Sequence, residues 1–284
     1  MKVLDRKSYY QQPYVLYLLI EQLKHRYLSV RKENPKKKGS YILSRYYQGY
    51  SIHILNESLR RNNVLNDTSA KLYFDLSTFQ YDNGNTPLFN FNKKKREEDK
   101  ERFNELYSKY MKSFDFAIDL DSDKDIMDAW RDAKKIKKLF DDYKLPFSIK
   151  FSGGRGFHFL IEDKFFNPKI KPQNKVILCG RMASVIAGSC GINKHNEGGT
   201  FDDSIYDDRR IFKLSYSLNY KDGKEFVCLP LSDEQFENFS LNKMELPNVM
   251  GEVKFFKRGM LTRTHNLSEK ELKNNIAKFL KEMK

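Results

Sequence analysis

Two short segments hold the residues best suited to chemistry. In the first, Phe114-Asp-Phe-Ala-Ile-Asp-Leu-Asp121, an apolar run of strand type ends in the carboxylates Asp119 and Asp121. A spacing of two puts both side chains on one face of an extended strand. Paired carboxylates are hard oxygen ligands suited to Mg²⁺, and two such ions stabilise both attacking and leaving oxygens in phosphoryl chemistry. The second segment, Ser152-Gly-Gly-Arg-Gly-Phe-His158, supplies the complementary charge. Its glycines let backbone approach a triphosphate, while Ser152, Arg155 and His158 offer a hydroxyl, a forked cation and an imidazole donor. Each segment by itself has an ordinary explanation. A carboxylate pair at a strand end can be a solvated edge, or a helix cap through Asp123 or Asp125. Gly-Gly between two strands is hairpin chemistry, with His158 in the core. The alternation Asp119, Asp121, Asp123, Asp125 also suits a calcium loop, yet every register lacks the glycine at position six and the glutamate at position twelve. The conjunction of acid pair and basic turn points to a nucleotide site.

The chain that positions these groups has 284 residues, enough for one large catalytic unit with a smaller subdomain. Its 52 Lys plus Arg against 38 Asp plus Glu give a net charge of +14, as expected of a protein that meets a polyanion, nucleic acid first among them. Lysine abundance through compositional bias gives the same number, so charge alone does not identify DNA. Three cysteines, Cys179, Cys190 and Cys228, have no paired spacing, which argues against a disulfide framework or an ordinary zinc finger. Cys179 and Cys190 with His195 are conceivable ligands, but the two thiols fall on a helix-like segment of small and apolar residues, so no structural zinc is expected. Met1-Lys-Val-Leu-Asp-Arg lacks a signal-peptide core, and no apolar run approaches the roughly eighteen residues that span a bilayer. The expectation is a cytoplasmic protein with no membrane partner.

Pro13 opens a helical pattern through about Lys32, with Leu16, Leu19, Ile20, Leu23 and Tyr27 on one stripe. After the polar run 33–39, residues 40–54 read as paired short strands, and a further strand lies near Leu72 to Leu76. Residues 81–112 form a polar insertion containing Lys93-Lys-Lys-Arg96, either a solvated face or a nucleic-acid contact. A helix is expected from Ile126 to about Tyr143, strands at 147–151 and 157–161, a helix over 173–190, charged strand-like sequence from Phe201 to Leu214, and a hairpin turning at Asp222-Gly223. Ser268-x-x-Glu271 is a capping box before a short terminal helix. Strands mixed with helices in no strict alternation predict an α+β, mixed-sheet catalytic domain with flanking helices and a small inserted or C-terminal helical part. The boundaries read as a catalytic domain over 1–250, with the insertion at about 81–112, and a helical tail over 251–284.

Together these residues resemble the archaeo-eukaryotic primase superfamily, the replicative primase small catalytic subunit and the primase-polymerases. The likeness covers roughly Phe114 to Leu231. The family is marked by a strand ending in D-x-D or D-x-E, an S-G-x-x-G-x-H turn, and an apolar residue followed by a third aspartate. Asp119 and Asp121 match the first, and Ser152, Arg155 and His158 match the second. Phe201-Asp202 fits the third, with Ile205 and Lys213 at the expected offsets; Asp203 is the alternative. The resemblance implies that Asp119, Asp121 and Asp202 hold two Mg²⁺ or Mn²⁺ ions, and that Ser152, Arg155, His158 and Lys213 grip the incoming NTP or dNTP, with Arg210 assisting. Replicative primases carry a phosphate-binding histidine where this chain has Asn219, and a zinc-binding insertion that it lacks. Both differences shift the likeness toward primase-polymerases of mobile elements, and Tyr216-Ser-Leu with Pro230-Leu231 resembles the polymerase domain of end-joining ligases.

What the resemblance implies is a DNA primase or primase-polymerase that synthesises primers on a single-stranded DNA template. A helical accessory domain or large primase subunit is its implied partner. The alternatives are an end-joining repair polymerase domain, a nuclease using the same carboxylates, and a nucleic-acid-binding replication accessory protein with an inactive site.

Overall fold

The computed structural model describes residues 5–23, 25–46, 51–79, 98–166, 170–207, 210–251 and 262–282. The Lys93–Arg96 cluster, with most of the expected insertion, lies outside them. The chain begins with helices α1 (Arg6–Tyr10) and α2 (Pro13–Gln22), the second opened by Pro13, whose missing N–H costs nothing in a first turn. Its apolar stripe ends at Leu23, well short of Lys32. From Leu28 the sequence alternates with period two and finds partners on both sides. Strand β1 (Leu28–Glu33) pairs antiparallel with β2 (Tyr41–Tyr46), and α3 (Ile52–Arg61) occupies sequence that had read as a second strand. Ser51 caps α3 by accepting from the Ile54 N–H, and Leu55 and Leu59 bury its inner face.

Strand β3 (Lys71–Asp75) lies on the other side of β1. A small ribbon follows, β4 (Ser77–Phe79) against β5 (Met111–Phe114), with α4 (Lys100–Tyr110) leading into β5. The remaining order is β6 (Phe116–Asp121), α5 (Ile126–Asp142), β7 (Ser148–Phe151), β8 (Gly156–Ile161), α6 (Pro172–Ser189), β9 (Ile211–Lys213), the hairpin β10 (Leu218–Lys221) and β11 (Lys224–Val227), β12 (Pro230–Leu231), α7 (Asp233–Glu237), α8 (Leu246–Gly251) and α9 (Glu269–Glu282). Glu271 and Ser268 form the expected reciprocal contacts before α9.

Two four-stranded sheets organise the molecule, ordered β2-β1-β3-β9 and β12-β7-β8-β6. The named strand pairs are antiparallel and the class is α+β. In the second sheet, register sets Leu120 against Phe157 and Ile118 against Phe159, giving one apolar face. Helix α5 covers it, with the Phe140 ring 5.2 Å from Phe147 and 5.7 Å from Phe159. Helix α9 packs outside α5, its Phe279 ring 5.0 Å from Tyr143. Because β6 alternates, burying Ile118 and Leu120 under α5 delivers Asp119 and Asp121 to the opposite face. No helix among the described residues is long and apolar enough to cross a membrane.

Candidate active site

One cross-strand row carries an acid, a histidine and a lysine. Asp119 on β6 is directly opposite His158 on β8, which is opposite Lys150 on β7. On the outer side of β6 the chain returns at residues 200–202. The Asp121 N–H donates to the Thr200 carbonyl at 2.8 Å, and the Asp202 N–H to the Asp119 carbonyl at 3.0 Å. That short edge segment aligns Asp202 with Asp119, and Thr200 Oγ1 anchors it by donating to Asp132 on α5. Asp203, the alternative third acid, pairs instead with Lys194 at 2.7 Å. Asp119, Asp121, Asp202, Ser152, Arg155, His158, Arg210 and Lys213 all border a single cavity of about 560 Å³.

The glycine turn is built for close approach. Gly153 has a φ of +81°, and a Cβ on Gly156 would fall 1.6 Å from the Leu120 carbonyl oxygen. Ser152 Oγ accepts from the N–H groups of Gly154 and Gly156. With both lone pairs engaged, its hydroxyl proton is left to donate. Asn219 binds the turn from β10: its Nδ2 donates to the Gly153 carbonyl at 2.7 Å and its Oδ1 accepts from Lys213 Nζ at 3.3 Å. The chain thus uses an amide to tie its buried lysine to the turn.

The opposite wall comes from the first sheet. Lys213 on β9 pairs with Tyr73 on β3, and Lys71 on β3 pairs with Arg31 on β1. Both rows face the cavity. The alternate residues Phe74 and Phe212 are buried, and the Phe212 ring packs tilted against the His158 ring with centroids 4.2 Å apart. Lys150 joins the sheets: its Nζ lies over the Phe74 and Phe212 rings and donates to the Lys213 carbonyl. Arg31, Lys71, Tyr73 and Lys150 escape a reading by motif. Period-two polarity in Lys71-Leu-Tyr73-Phe and a lone lysine inside Ser148-Ile-Lys150-Phe are the signals available for three of them.

Charge is unresolved at both ends of this cavity. Burial, and next the charge of Asp202, push Asp119 up to about 7. Burial and Asp119 also raise Asp121. On the facing wall, burial followed by Lys71 lowers Lys213 to about 7, and burial with Arg31 lowers Lys71. Burial and the Lys150 charge depress His158, so its ring is neutral. Asp119 Oδ1 is buried without a hydrogen-bond partner, and His158 Nε2 lies 3.3 Å away. Among the described residues no three acidic, histidine or cysteine side chains are gathered closely enough to enclose an ion. Arginines interpose: Arg155 pairs with Asp121 at 3.4 Å and with Asp123, and Arg210 lies 3.5 Å from Asp202. The donor set is all carboxylate and includes an orphaned buried oxygen, which fits a hard divalent cation once these arginines are drawn off.

No protein-family model matches the sequence, and no curated protein matches it. Among solved structures, the chain is similar to the polymerase domain of Mycobacterium tuberculosis ligase D in complex with DNA, at a TM-score of 0.53 and 10% identity, over 96% of this chain and 88% of that one. It also aligns with the primase RepB′ at a TM-score of 0.41 and 11% identity, over 77% of this chain and 56% of that one. The catalytic domain of RepB′ in complex with initiator DNA gives 0.39 and 12%, over 73% and 79%. At 10% identity the first likeness is one of fold alone: the chain shares the α+β architecture of that polymerase domain.

Proposed function

We propose that the chain is a template-directed nucleotidyltransferase of primase-polymerase type, synthesising primers on single-stranded DNA from NTPs or dNTPs. The observation that carries this reading is the polarity of one cavity. Carboxylates whose pKa values burial raises stand on one wall, met there by two arginines, and lysines whose pKa values burial lowers stand on the other. A magnesium or manganese nucleoside triphosphate complements both walls at once, which neither a metal ion nor a free anion does.

In this reading Asp119, Asp121 and Asp202 hold two Mg²⁺ or Mn²⁺ ions, which when bound activate the attacking 3′-hydroxyl and neutralise the leaving pyrophosphate. The chain's own groups orient the triphosphate. Lys213 and the Ser152 hydroxyl donate to its oxygens, and Asn219 keeps that lysine against the turn. Arg155 and Arg210, now paired with the acids, exchange carboxylate partners for phosphate ones. His158, its charged form disfavoured by burial and its ring packed against Phe212, serves as a hydrogen-bond donor rather than a fixed cation. The charge built up on the leaving group is thereby met by donors fixed beforehand.

The test is synthesis on a defined single-stranded template, primed and unprimed, with NTPs and dNTPs supplied separately in Mn²⁺. Wild type should make product, and Asp119→Ala/Asp121→Ala should make none; equal product from both removes the proposal. Extension restricted to primed templates would assign the chain to repair-type extension, or to initiation that needs the accessory subunit. Cleavage of DNA without nucleotides would favour the nuclease.

A further inference from the structure

The cavity-facing side of the first sheet does not stop at the cavity. From Lys213 and Tyr73 it continues across β3 and β1 to Arg31, then to the edge strand β2, where Leu43 is opposite Arg31 and Tyr41 opposite Glu33. There the surface changes character. Tyr41, Ile42 and Leu43 are 50%, 37% and 46% exposed, three consecutive apolar side chains on the strand that ends the sheet among the described residues. Soluble proteins normally blunt such edges with charge or cover them. The cations are present but arranged as companions. The Arg31 guanidinium lies 3.9 Å above the Tyr41 ring, and the loop beyond β1 carries Lys36, Lys37 and Lys38, all exposed.

Aromatic and apolar faces interleaved with cations suit one ligand chemistry above others. Bases stack on π-faces while lysine and arginine follow the phosphates, and only an unpaired strand presents its bases for stacking. We propose that the exposed face of the first sheet and its β1–β2 hairpin form a single-stranded nucleic-acid platform that leads the strand into the cavity. Arg31 and Tyr41 border both regions, so the path is continuous. Three interstrand spacings between β9 and β2 amount to roughly 14 Å, room for about four stacked nucleotides. The platform's role as a template path rests on the polymerase reading; its binding of a single strand does not, and is measured without nucleotides or divalent ions.

Fluorescence anisotropy of a labelled 20-nucleotide single strand, titrated with the full chain at several salt concentrations, tests the assignment. Lys36→Glu/Lys37→Glu/Lys38→Glu should weaken binding more than tenfold and flatten the log–log salt slope by about two, the slope that three phosphate contacts contribute for single strands. Tyr41→Ala/Leu43→Ala should weaken binding about tenfold and leave the slope unchanged, because stacking releases no counterions. Circular dichroism melting checks that both variants fold, which their exposure favours. Wild-type affinity in the Tyr41/Leu43 variant overturns the platform even if the lysine variant binds weakly, since that pattern is bulk charge alone. Equal affinity of wild type for poly-L-glutamate also overturns it, assigning the surface to an acidic protein partner. Failure here with primer synthesis intact moves the template elsewhere, whereas success with no synthesis by wild type removes only the polymerase reading.

Discussion

The acidic and basic walls of the cavity are encoded in opposite ways. Three carboxylates must reach the same few ångströms, and sheet register is what places them. Asp119 and Asp121 are two apart on β6, and Asp202 is fixed by backbone hydrogen bonds to the same strand. A slip of one residue would send them under α5. The basic wall draws Arg31, Lys71 and Lys213 singly from three strands far apart in sequence. Long cations tolerate displacement that short carboxylates do not. Exacting geometry therefore leaves a compact motif in the sequence, and tolerant geometry leaves scattered residues.

Four measurements break or sharpen that contrast. The largest effect is expected on the acidic wall. Asp202→Ala should lower nucleotide incorporation on the order of a hundredfold to a thousandfold, as losing a preorganised charge-stabilising group does, while Asp203→Ala stays within about twofold. If the two variants are equally impaired, the third acid has been misassigned. Gly156→Ala comes next. Its new methyl would meet the Leu120 carbonyl, and the variant should lose roughly 3 kcal/mol in chemical denaturation as β6 and β8 are forced apart.

The third measurement uses pH. Asp119, near 7 in the fold and about 4 unfolded, keeps its proton in the native state over that interval, so its contribution to stability falls as pH rises from 4 to 7. Lys213, near 7 in the fold and about 10.5 unfolded, has shed its proton in the native state while the unfolded chain retains it, so stability recovers from 7 to 10.5. The two walls thus titrate in opposite senses, with a shared minimum near neutrality. Lys213→Met should melt above wild type at pH 6, by on the order of 2 kcal/mol, and the gap should close by pH 10. A gap independent of pH would show that Lys213 does not titrate in this window. The smallest effect is reserved for Lys71→Ala. One cation among several should raise the KM for nucleotide about tenfold and leave kcat within about threefold, the scale of a single charge-assisted hydrogen bond. A drop in kcat alone would make Lys71 part of the chemistry rather than of binding.

What could be read from the sequence follows the same division. The Asp119 strand, the turn at Ser152, helices α5 and α6 and the 218–227 hairpin each carry a strong local pattern, and each appears where expected. The stretch from Leu23 to Ile54 does not. Leu23 and Tyr27 bury equally well as a helical stripe or at the entry to a strand, and only pairing with β2 and β3 decides for β1. Ser51-Ile-His-Ile alternates like a strand, yet its serine caps a helix whose Leu55 and Leu59 reach the core. Lys150 was hidden for another reason: its partner, the Lys213 carbonyl, is a backbone atom that no side-chain pattern announces.

Lys150 has a mechanical consequence. Its ammonium is lodged at the seam between the sheets, over two aromatic rings, with a carbonyl of the neighbouring sheet as its acceptor. Prying the sheets apart would break that hydrogen bond and both ring contacts together. The seam is in effect riveted.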